Sequence, residues 1–142
     1  MHERTISADE VYAKRFCRAV KRACKRSDVA SVNRIGMVDL RLTCGDTAVH
    51  GDMLVWNINE RVETAVCHIQ NSIFATVQLS VLLKNSPKDH LDAFRFWTKF
   101  MYNERELLLS APLRAESPQT LYPSVRTEKG GRSIIGCYQK GH

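Results

Sequence analysis

Two stretches in the middle of the chain, MVDLRLTC at residues 37–44 and IFATVQLSVLL at residues 73–83, decide the predicted fold. In the first, Val38, Leu40 and Leu42 alternate with residues of the opposite face, and the second stretch alternates in the same way. Successive side chains of a strand point to opposite faces of a sheet. A period of two therefore predicts two half-buried β-strands.

Two more strands are predicted between these, at residues 49–58 and 61–69. Gly51 interrupts the first of them and indicates a β-bulge. Short polar turns separate all four predicted strands along the chain. Four consecutive strands joined in this way predict an antiparallel meander.

A helix is expected on each side of the meander, which makes the fold class α+β. Ser7 and Glu10 have the spacing of a capping box. Behind them, apolar residues recur at steps of three and four, which predicts an N-terminal helix over about residues 8–26. A second, aromatic-rich helix is expected to pack on the sheet from about residue 87 to residue 111, where Pro112 ends it.

Residues 1–111 are expected to form a single compact domain, and residues 112–142 a loose polar tail. The tail is rich in proline and glycine, and it holds few apolar residues. Ordering the backbone costs roughly 1–2 kcal/mol per residue, and the tail has little apolar surface to offset that cost. It is predicted to be partly disordered and exposed, with one short strand at Ser133–Tyr138.

Length and composition predict an intracellular globular protein. A chain of 142 residues can bury one real core. It has no apolar run of the roughly 18 residues that a membrane span needs, and no apolar signal segment follows Met1. The five cysteines are an odd number without a CxxC pair, which favours free thiols in a reducing compartment. A cytoplasmic or nuclear location is expected.

The formal net charge of +6 is unevenly distributed. Lys and Arg outnumber Asp and Glu by nine to four over residues 1–34 and by nine to six over residues 87–142, but residues 35–86 carry three bases and five acids. One predicted helix face is basic without any acid, and its seven members are Lys14, Arg15, Arg18, Lys21, Arg22, Lys25 and Arg26. Such a face is either simply solvated or binds the phosphates of RNA or of an anionic membrane.

The second predicted helix is unusually aromatic between residues 94 and 102. One of its faces is expected to pack on the sheet, with Trp97 in the core. Phe96 and Phe100 project from another side of the helix. These two residues are predicted to lie nearer the surface, where they form a self-association site or stack on bases.

No enzyme motif, cofactor site or metal site is recognisable. On a strand, Cys67 and His68 would point to opposite faces and could not form a thiolate–imidazole pair. His50 and Asp52 share a predicted face, but no nucleophile stands beside them. Together with Cys44, these cysteines and histidines lack the paired spacing of structural zinc sites. No catalytic residue and no metal ligand is therefore predicted.

The segment TLYPSV at residues 120–125 resembles the LYPxL-type late-domain peptides of budding viruses. The matching residues are Leu121, Tyr122, Pro123 and Val125, with valine where the motif usually has leucine. The resemblance implies a host sorting protein as a partner of the tail. The alternative is an ordinary turn at Tyr-Pro-Ser.

In size, charge and organisation the chain resembles the small matrix proteins of negative-strand RNA viruses. This resemblance implies a non-enzymatic structural protein of a virion that binds RNA or an anionic membrane and forms homo-oligomers. The first alternative is an RNA-binding accessory or regulatory protein of a virus or cell, although a double-stranded-RNA-binding domain has three strands, not four. The second alternative is an enzyme that depends on Cys67 or on the His50–Asp52 pair.

Overall fold

The computed structural model describes residues 30–44, 47–118 and 122–138. The elements follow one another as α1 (Ala30–Thr43), β1 (His50–Leu54), α2 (Val62–Gln70), β2 (Thr76–Leu79), a 3₁₀ turn (Leu83–Asn85), α3 (Lys88–Asn103), a π-helical turn (Glu106–Ser110), β3 (Leu113–Glu116), β4 (Ser124–Lys129) and β5 (Arg132–Cys137). Helices and sheets together confirm the mixed α+β class. The described strands form a parallel pair, β1–β2, and an antiparallel sheet in the order β3-β4-β5.

Residues 37–44 lie mainly in helix α1, so the first predicted strand is wrong. The buried residues of this helix are Ala30, Arg34, Met37, Val38 and Leu40, and the first four recur at steps of four, three and one, which is the spacing of a helix. A strand would have buried Leu42 together with Val38, whereas Leu42 is exposed. The alternation in residues 37–44 is part of a longer helical pattern, which begins seven residues earlier, at Ala30.

Residues 61–69 also form a helix where a strand was predicted. Helix α2 buries Ala65 and Ile69, which are one turn apart, and leaves Cys67 between them exposed. Arg61 occupies the N-cap position without a side-chain hydrogen bond to the first turn. The ordinary capping signal of a helix is therefore missing from this sequence.

The predicted strands at 49–58 and 73–83 shorten to β1 and β2, which run parallel because α2 connects them. His50 pairs with Thr76 and Leu54 with Leu79, with a register shift between His50 and Met53. The irregularity in pairing lies where Gly51 had predicted a bulge. A β-carbon at Gly51 would lie 2.9 Å from the Met37 sulfur, so glycine lets α1 approach the strand closely. The four-stranded antiparallel meander is wrong.

The aromatic helix is confirmed in position, as α3 and a wider π-helical turn end before Pro112. Arg41 of α1 holds this end of the helix in place. Its guanidinium donates to the carbonyl oxygens of Phe74 at 3.0 Å and Ala111 at 2.8 Å, and also to that of Leu108. Burial lowers the pKa of Arg41 from its usual value. The side chain thus joins α1 to both neighbouring segments.

The loose tail is wrong for the residues that the structure describes beyond Pro112. β3 pairs with β4 and β4 with β5, and the short strand expected at Ser133–Tyr138 corresponds to β5. Gly130 and Gly131 have φ values of 59° and 76°, the left-handed conformation that a two-residue hairpin turn requires. Few apolar residues are present, but β4 turns Val125 and Thr127 to the same side, where both are fully buried.

One main core cluster joins every layer of the described fold. Its members include Val38 of α1, Leu54 of β1, Ile69 of α2, Leu108 of the π-helical turn and Val125 of β4. A smaller cluster packs Met37 and Leu40 against Val49 and Ala75. No helix within the described ranges is long and apolar enough to cross a membrane.

Candidate functional site

Three aromatic residues on one flank of α3, Phe96, Trp97 and Phe100, form what we call the aromatic ridge. Phe96 is 64% exposed, and Trp97 and Phe100 are half-buried. The Trp97 ring lies between its neighbours, with centroids 5.5 Å from Phe96 and 5.6 Å from Phe100 and interplanar angles of 90° and 81°. Edge-to-face contacts of this kind are favourable and orient the rings. Trp97 packs against the main core cluster as predicted, but it is only half-buried, and Phe100 packs against the same cluster.

The side of α3 that carries His90 and Phe94, on which Trp97 also lies, fixes the helix to the core. His90 is the buried residue of this helix, and its Nε2 lies 3.1 Å from the Glu60 carbonyl oxygen. Trp56 packs against both His90 and Phe94, with ring centroids 6.5 and 6.2 Å apart. The ridge therefore projects from a helix whose orientation is set by buried contacts.

Charged residues line the exposed face of α3 beside the ridge. Asp92 accepts hydrogen bonds from Lys88 at 2.6 Å and from Arg95 at 3.2 Å. The hydrogen bond from Lys88, more than any other contact, lowers the pKa of Asp92. Lys99, one turn beyond Arg95, is exposed and has no ion-pair partner among the described residues. The ridge is thus bordered by a charged face on which Lys99 meets no acid of the described ranges.

The predicted phosphate-binding residues lie outside the described residues. This applies to all seven bases from Lys14 to Arg26 and to the helix expected over residues 8–26. Their assignment stays a prediction.

The late-domain-like segment is built into the fold where the structure describes it. Tyr122 and Val125 are buried, Pro123 is exposed, and Leu121 lies outside the described residues. The Tyr122 hydroxyl donates to Asp39 Oδ1 at 2.5 Å, and this bond, with burial, raises the pKa of Tyr122 to about 12. The expectation that Tyr122 and Val125 are exposed is wrong. A partner would reach them only after the start of β4 had left the core.

Of the residues of the enzymatic alternative, the structure describes Cys67, His68 and His50, but not the side chain of Asp52. Cys67 is exposed on α2, where Asn71 Nδ2 lies 3.5 Å from its sulfur. His68 is the next residue of the same helix, so about 100° of helical rotation, and not strand geometry, separates the two side chains. His50 is exposed at the start of β1. No cluster of three potential metal ligands occurs among the residues described.

A crevice opens at the carboxyl ends of β1 and β2, and sequence reasoning missed it. We call it the carboxyl-end crevice; its volume is about 350 Å³. Its lining includes Val55, Trp56 and Asn57 after β1, and Leu82 and Asn85 after β2. The parallel pairing of β1 and β2 brings these two segments together. It was not predicted, because the segment that connects the two strands, α2, was predicted as a strand.

No protein-family model, no curated protein and no solved structure matches this chain. The function therefore has to be inferred from its own residues and geometry.

The antiparallel sheet carries a second surface that the sequence did not indicate. Arg114 of β3 and Arg126 of β4 are directly paired across the strands, and both are exposed. Glu128 neutralises Arg126 at 2.5 Å, whereas no ion pair to Arg114 exists within the described part of the chain. Like charges opposite each other weaken strand pairing. The face is mixed in charge, because Glu116 is exposed on it as well.

Proposed function

We propose that this chain is a non-catalytic, basic structural protein that self-associates and binds a phosphate-bearing partner, RNA or an anionic membrane, as a viral matrix protein does. The observation that carries the proposal is the aromatic ridge. Phe96 is 64% exposed although α3 has a buried side available for aromatic residues. Large aromatic residues left on a surface and bordered by charges are typical of protein interfaces.

A second copy of the chain is the partner that symmetry and charge suggest for the ridge. Most homo-oligomers begin with a two-fold contact in which the same patch meets itself. If two α3 helices pair antiparallel with Phe96 near the axis, residues before Phe96 in one copy face residues after it in the other. Asp92 precedes Phe96 by four residues and Lys99 follows it by three. The unpaired Lys99 of each copy would therefore approach Asp92 of the other.

The charge distribution supports a phosphate-bearing partner. Residues 1–29 hold eight bases and four acids, so they supply +4 of the net charge of +6. The bases from Lys14 to Arg26 follow one another without an acid. Neutralising phosphates with such a segment releases counterions, which makes binding strongly dependent on salt.

The self-association half of the proposal is tested with two matched variants of α3. Phe96→Ala is expected to reduce the molar mass measured by size-exclusion chromatography with light scattering. Tyr102→Ala is the control, because Tyr102 is 67% exposed on the same helix. If the wild type and Phe96→Ala have the same molar mass, the proposal that the chain self-associates through the ridge is wrong. A stable wild-type monomer that binds RNA would favour the accessory-protein alternative.

The partner half is tested by reversing the charge of Lys14, Arg18, Lys21 and Lys25 to glutamate. The wild type is expected to bind single-stranded RNA or anionic vesicles at low salt and to lose affinity steeply as salt rises. The reversed variant is expected to bind neither. Vesicles of neutral lipid and a run of RNA homopolymers distinguish the two partners. Affinity that is independent of ionic strength, or that survives the reversal, would contradict the proposal.

A further inference from the structure

We infer that the outer edge of strand β5 pairs with the same strand of a second copy of the chain, so that two three-stranded sheets continue into one sheet of six strands. β5 is the last strand of the antiparallel sheet, whose order is β3-β4-β5. A strand at the end of a sheet presents unpaired backbone N–H and C=O groups, which can bond another strand. This surface is distinct from the aromatic ridge.

The hydrogen-bonding pattern of β5 shows which of its residues face outward. Just after the strand, the Tyr138 N–H donates to the Pro123 carbonyl oxygen at 2.7 Å. In antiparallel pairing every second residue bonds the neighbouring strand, so the even-numbered residues of β5 bond β4. The backbone groups of Ser133, Ile135 and Cys137 therefore point away from β4. These three residues, which we call the open edge, are exposed and form no backbone hydrogen bond to another described segment.

The other edge of this sheet is protected against pairing, whereas the open edge is not. β3 is four residues long, follows Pro112, and carries two exposed charges, Arg114 and Glu116. Short strands, prolines and charged side chains are the means by which proteins keep an edge strand from pairing. β5 is six residues long, and residues 133–137 include no proline and no charge.

Symmetry and charge make a second copy of β5 the partner of the open edge. An antiparallel pairing centred on Ile135 uses all three outward residues of both copies. Ile135 then lies opposite its own symmetry mate, and Ser133 lies opposite Cys137. No like charges face each other, although the chain has a net charge of +6 and its copies repel each other over other surfaces. Arg132, the one base of β5, is neutralised within its own chain by Glu104 at 2.8 Å.

Ile135 gives this contact an apolar centre. Its side chain is 54% exposed, on a strand whose other face packs Ile134 against the main core cluster. Pairing two Ile135 side chains would shield each of them from water. A foreign peptide that joins an edge strand is selected by pockets for its side chains. No residue of β5 lines the carboxyl-end crevice or the larger cavity of about 600 Å³ beside Arg41.

The open edge gives the proposed self-association a second surface, and only the larger assembly that follows rests on the ridge. The ridge and the open edge share no residue, and each contact has two-fold symmetry. Two different two-fold contacts link copies beyond the dimer. They give a tetramer where the two axes cross and an open polymer where they do not. With the open edge alone, the chain would form a dimer.

Hydrogen exchange of the β5 amides tests the pairing directly. It is measured on the full-length Phe96→Ala variant, which lacks the ridge contact, at low and high protein concentration. At high concentration the amides of Ser133, Ile135 and Cys137 are expected to become protected, because they bond the second copy. The Ile134 amide bonds β4 in the monomer as well, so its protection is expected to change far less. Protection of the three outward amides that is absent, or independent of concentration, would overturn the inference.

Two glutamate substitutions in the Phe96→Ala background separate the open edge from the rest of the surface. In Ile135→Glu the new carboxylate lies opposite Arg126 of its own chain, so the monomer tolerates it, but two carboxylates would meet across the two-fold axis. Val55→Glu makes the same change at a β-branched residue of similar exposure, 51%. Ile135→Glu is expected to raise the dissociation constant of the dimer at least about tenfold, and Val55→Glu to leave it unchanged.

Light scattering over a range of protein concentrations measures both constants, and urea midpoints check that both variants are folded. Equal dissociation constants for Ile135→Glu and Val55→Glu would contradict the pairing.

The same measurements separate this inference from the proposed function. If Phe96→Ala keeps the mass of a wild-type dimer and Ile135→Glu is a monomer, the open edge stands and self-association through the ridge fails. If Phe96→Ala alone is a monomer at every concentration, the ridge stands and the open-edge inference fails. If only the double variant is a monomer, both contacts exist, and the wild type is expected to form assemblies larger than a dimer.

Discussion

Replacing Tyr122 by phenylalanine tests a hydrogen bond that joins the segment before β4 to α1. The Tyr122 ring is buried, and its hydroxyl donates to Asp39 Oδ1 at 2.5 Å. Tyr122→Phe keeps the ring and removes only the donor. Hydrogen bonds to charged groups contribute roughly 1.5–3 kcal/mol. Because Asp39 is half-buried, water replaces part of the lost bond, and we expect the free energy of unfolding to fall by about 1.5–2 kcal/mol.

Urea unfolding at pH 7, followed by tryptophan fluorescence, measures this change. With a denaturant slope of about 1–3 kcal/mol per molar, the midpoint is expected to move down by about 1 M. The control is Tyr102→Phe, whose exposed ring stays 4.8 Å from the Arg105 guanidinium. That variant should change stability by less than about 0.5 kcal/mol.

A loose tail would give a different result. If residues 117–138 did not pack on the rest of the molecule, Tyr122→Phe would be as neutral as Tyr102→Phe. Equal midpoints for the two variants would therefore refute the burial of Tyr122. They would support the loose, exposed tail that the sequence predicted.

Three further predictions follow from the same packing. Val125→Ala removes two methyl groups at a fully buried position and should cost about 2–3 kcal/mol in urea unfolding, whereas Ile135→Ala, at an exposed position, should cost under 1 kcal/mol although it removes one carbon more; equal costs would contradict the core position. Arg41→Met leaves four backbone carbonyls without their donor and should lower stability by about 3 kcal/mol, so an unchanged thermal midpoint would refute its role. Burial raises the pKa of Tyr138 to about 12, and the hydrogen bond to Asp39 is the main cause that raises the pKa of Tyr122 to about 12. Since tyrosines of the unfolded chain ionise near pH 10, the free energy of unfolding should be constant just below pH 10 and fall between pH 10 and 12. The fall should be shallower in Tyr122→Phe, which lacks one of the two groups.

The sequence predicted long, well-delimited elements and failed on short ones. Helix α3 was found because its apolar pattern extends over many residues and Pro112 ends it. Residues 37–44 and 61–69 were read as strands because eight or nine residues can satisfy a period of two by chance. Helix α2 gave no capping signal to contradict that reading, since Arg61 makes no side-chain cap. The bulge at Gly51 was predictable because glycine has a specific steric role there.

The packing of the tail and the position of the candidate sites depend on contacts between residues far apart in the sequence. Local sequence patterns do not predict such contacts. Tyr122 donates a hydrogen bond to Asp39, a residue that lies 83 positions earlier in the sequence. No local pattern around either residue predicts this pair. The exposure of Phe96 was foreseen from its angular position on α3, and Trp97, predicted as a core residue, packs against the core cluster but is only half-buried. The carboxyl-end crevice required the parallel pairing of β1 and β2, and a predicted meander excludes that pairing.

The burial of Val125 has a consequence for how the protein is made. A chain leaves the ribosome from its N-terminus, so Val38, Leu54 and Leu108 emerge well before β4. Until Val125 has been synthesised and packs against them, these core residues are only partly buried and remain in contact with water. The described core is therefore completed only after β4 has been synthesised. During that interval the nascent chain presents apolar surface to chaperones and to other copies of itself.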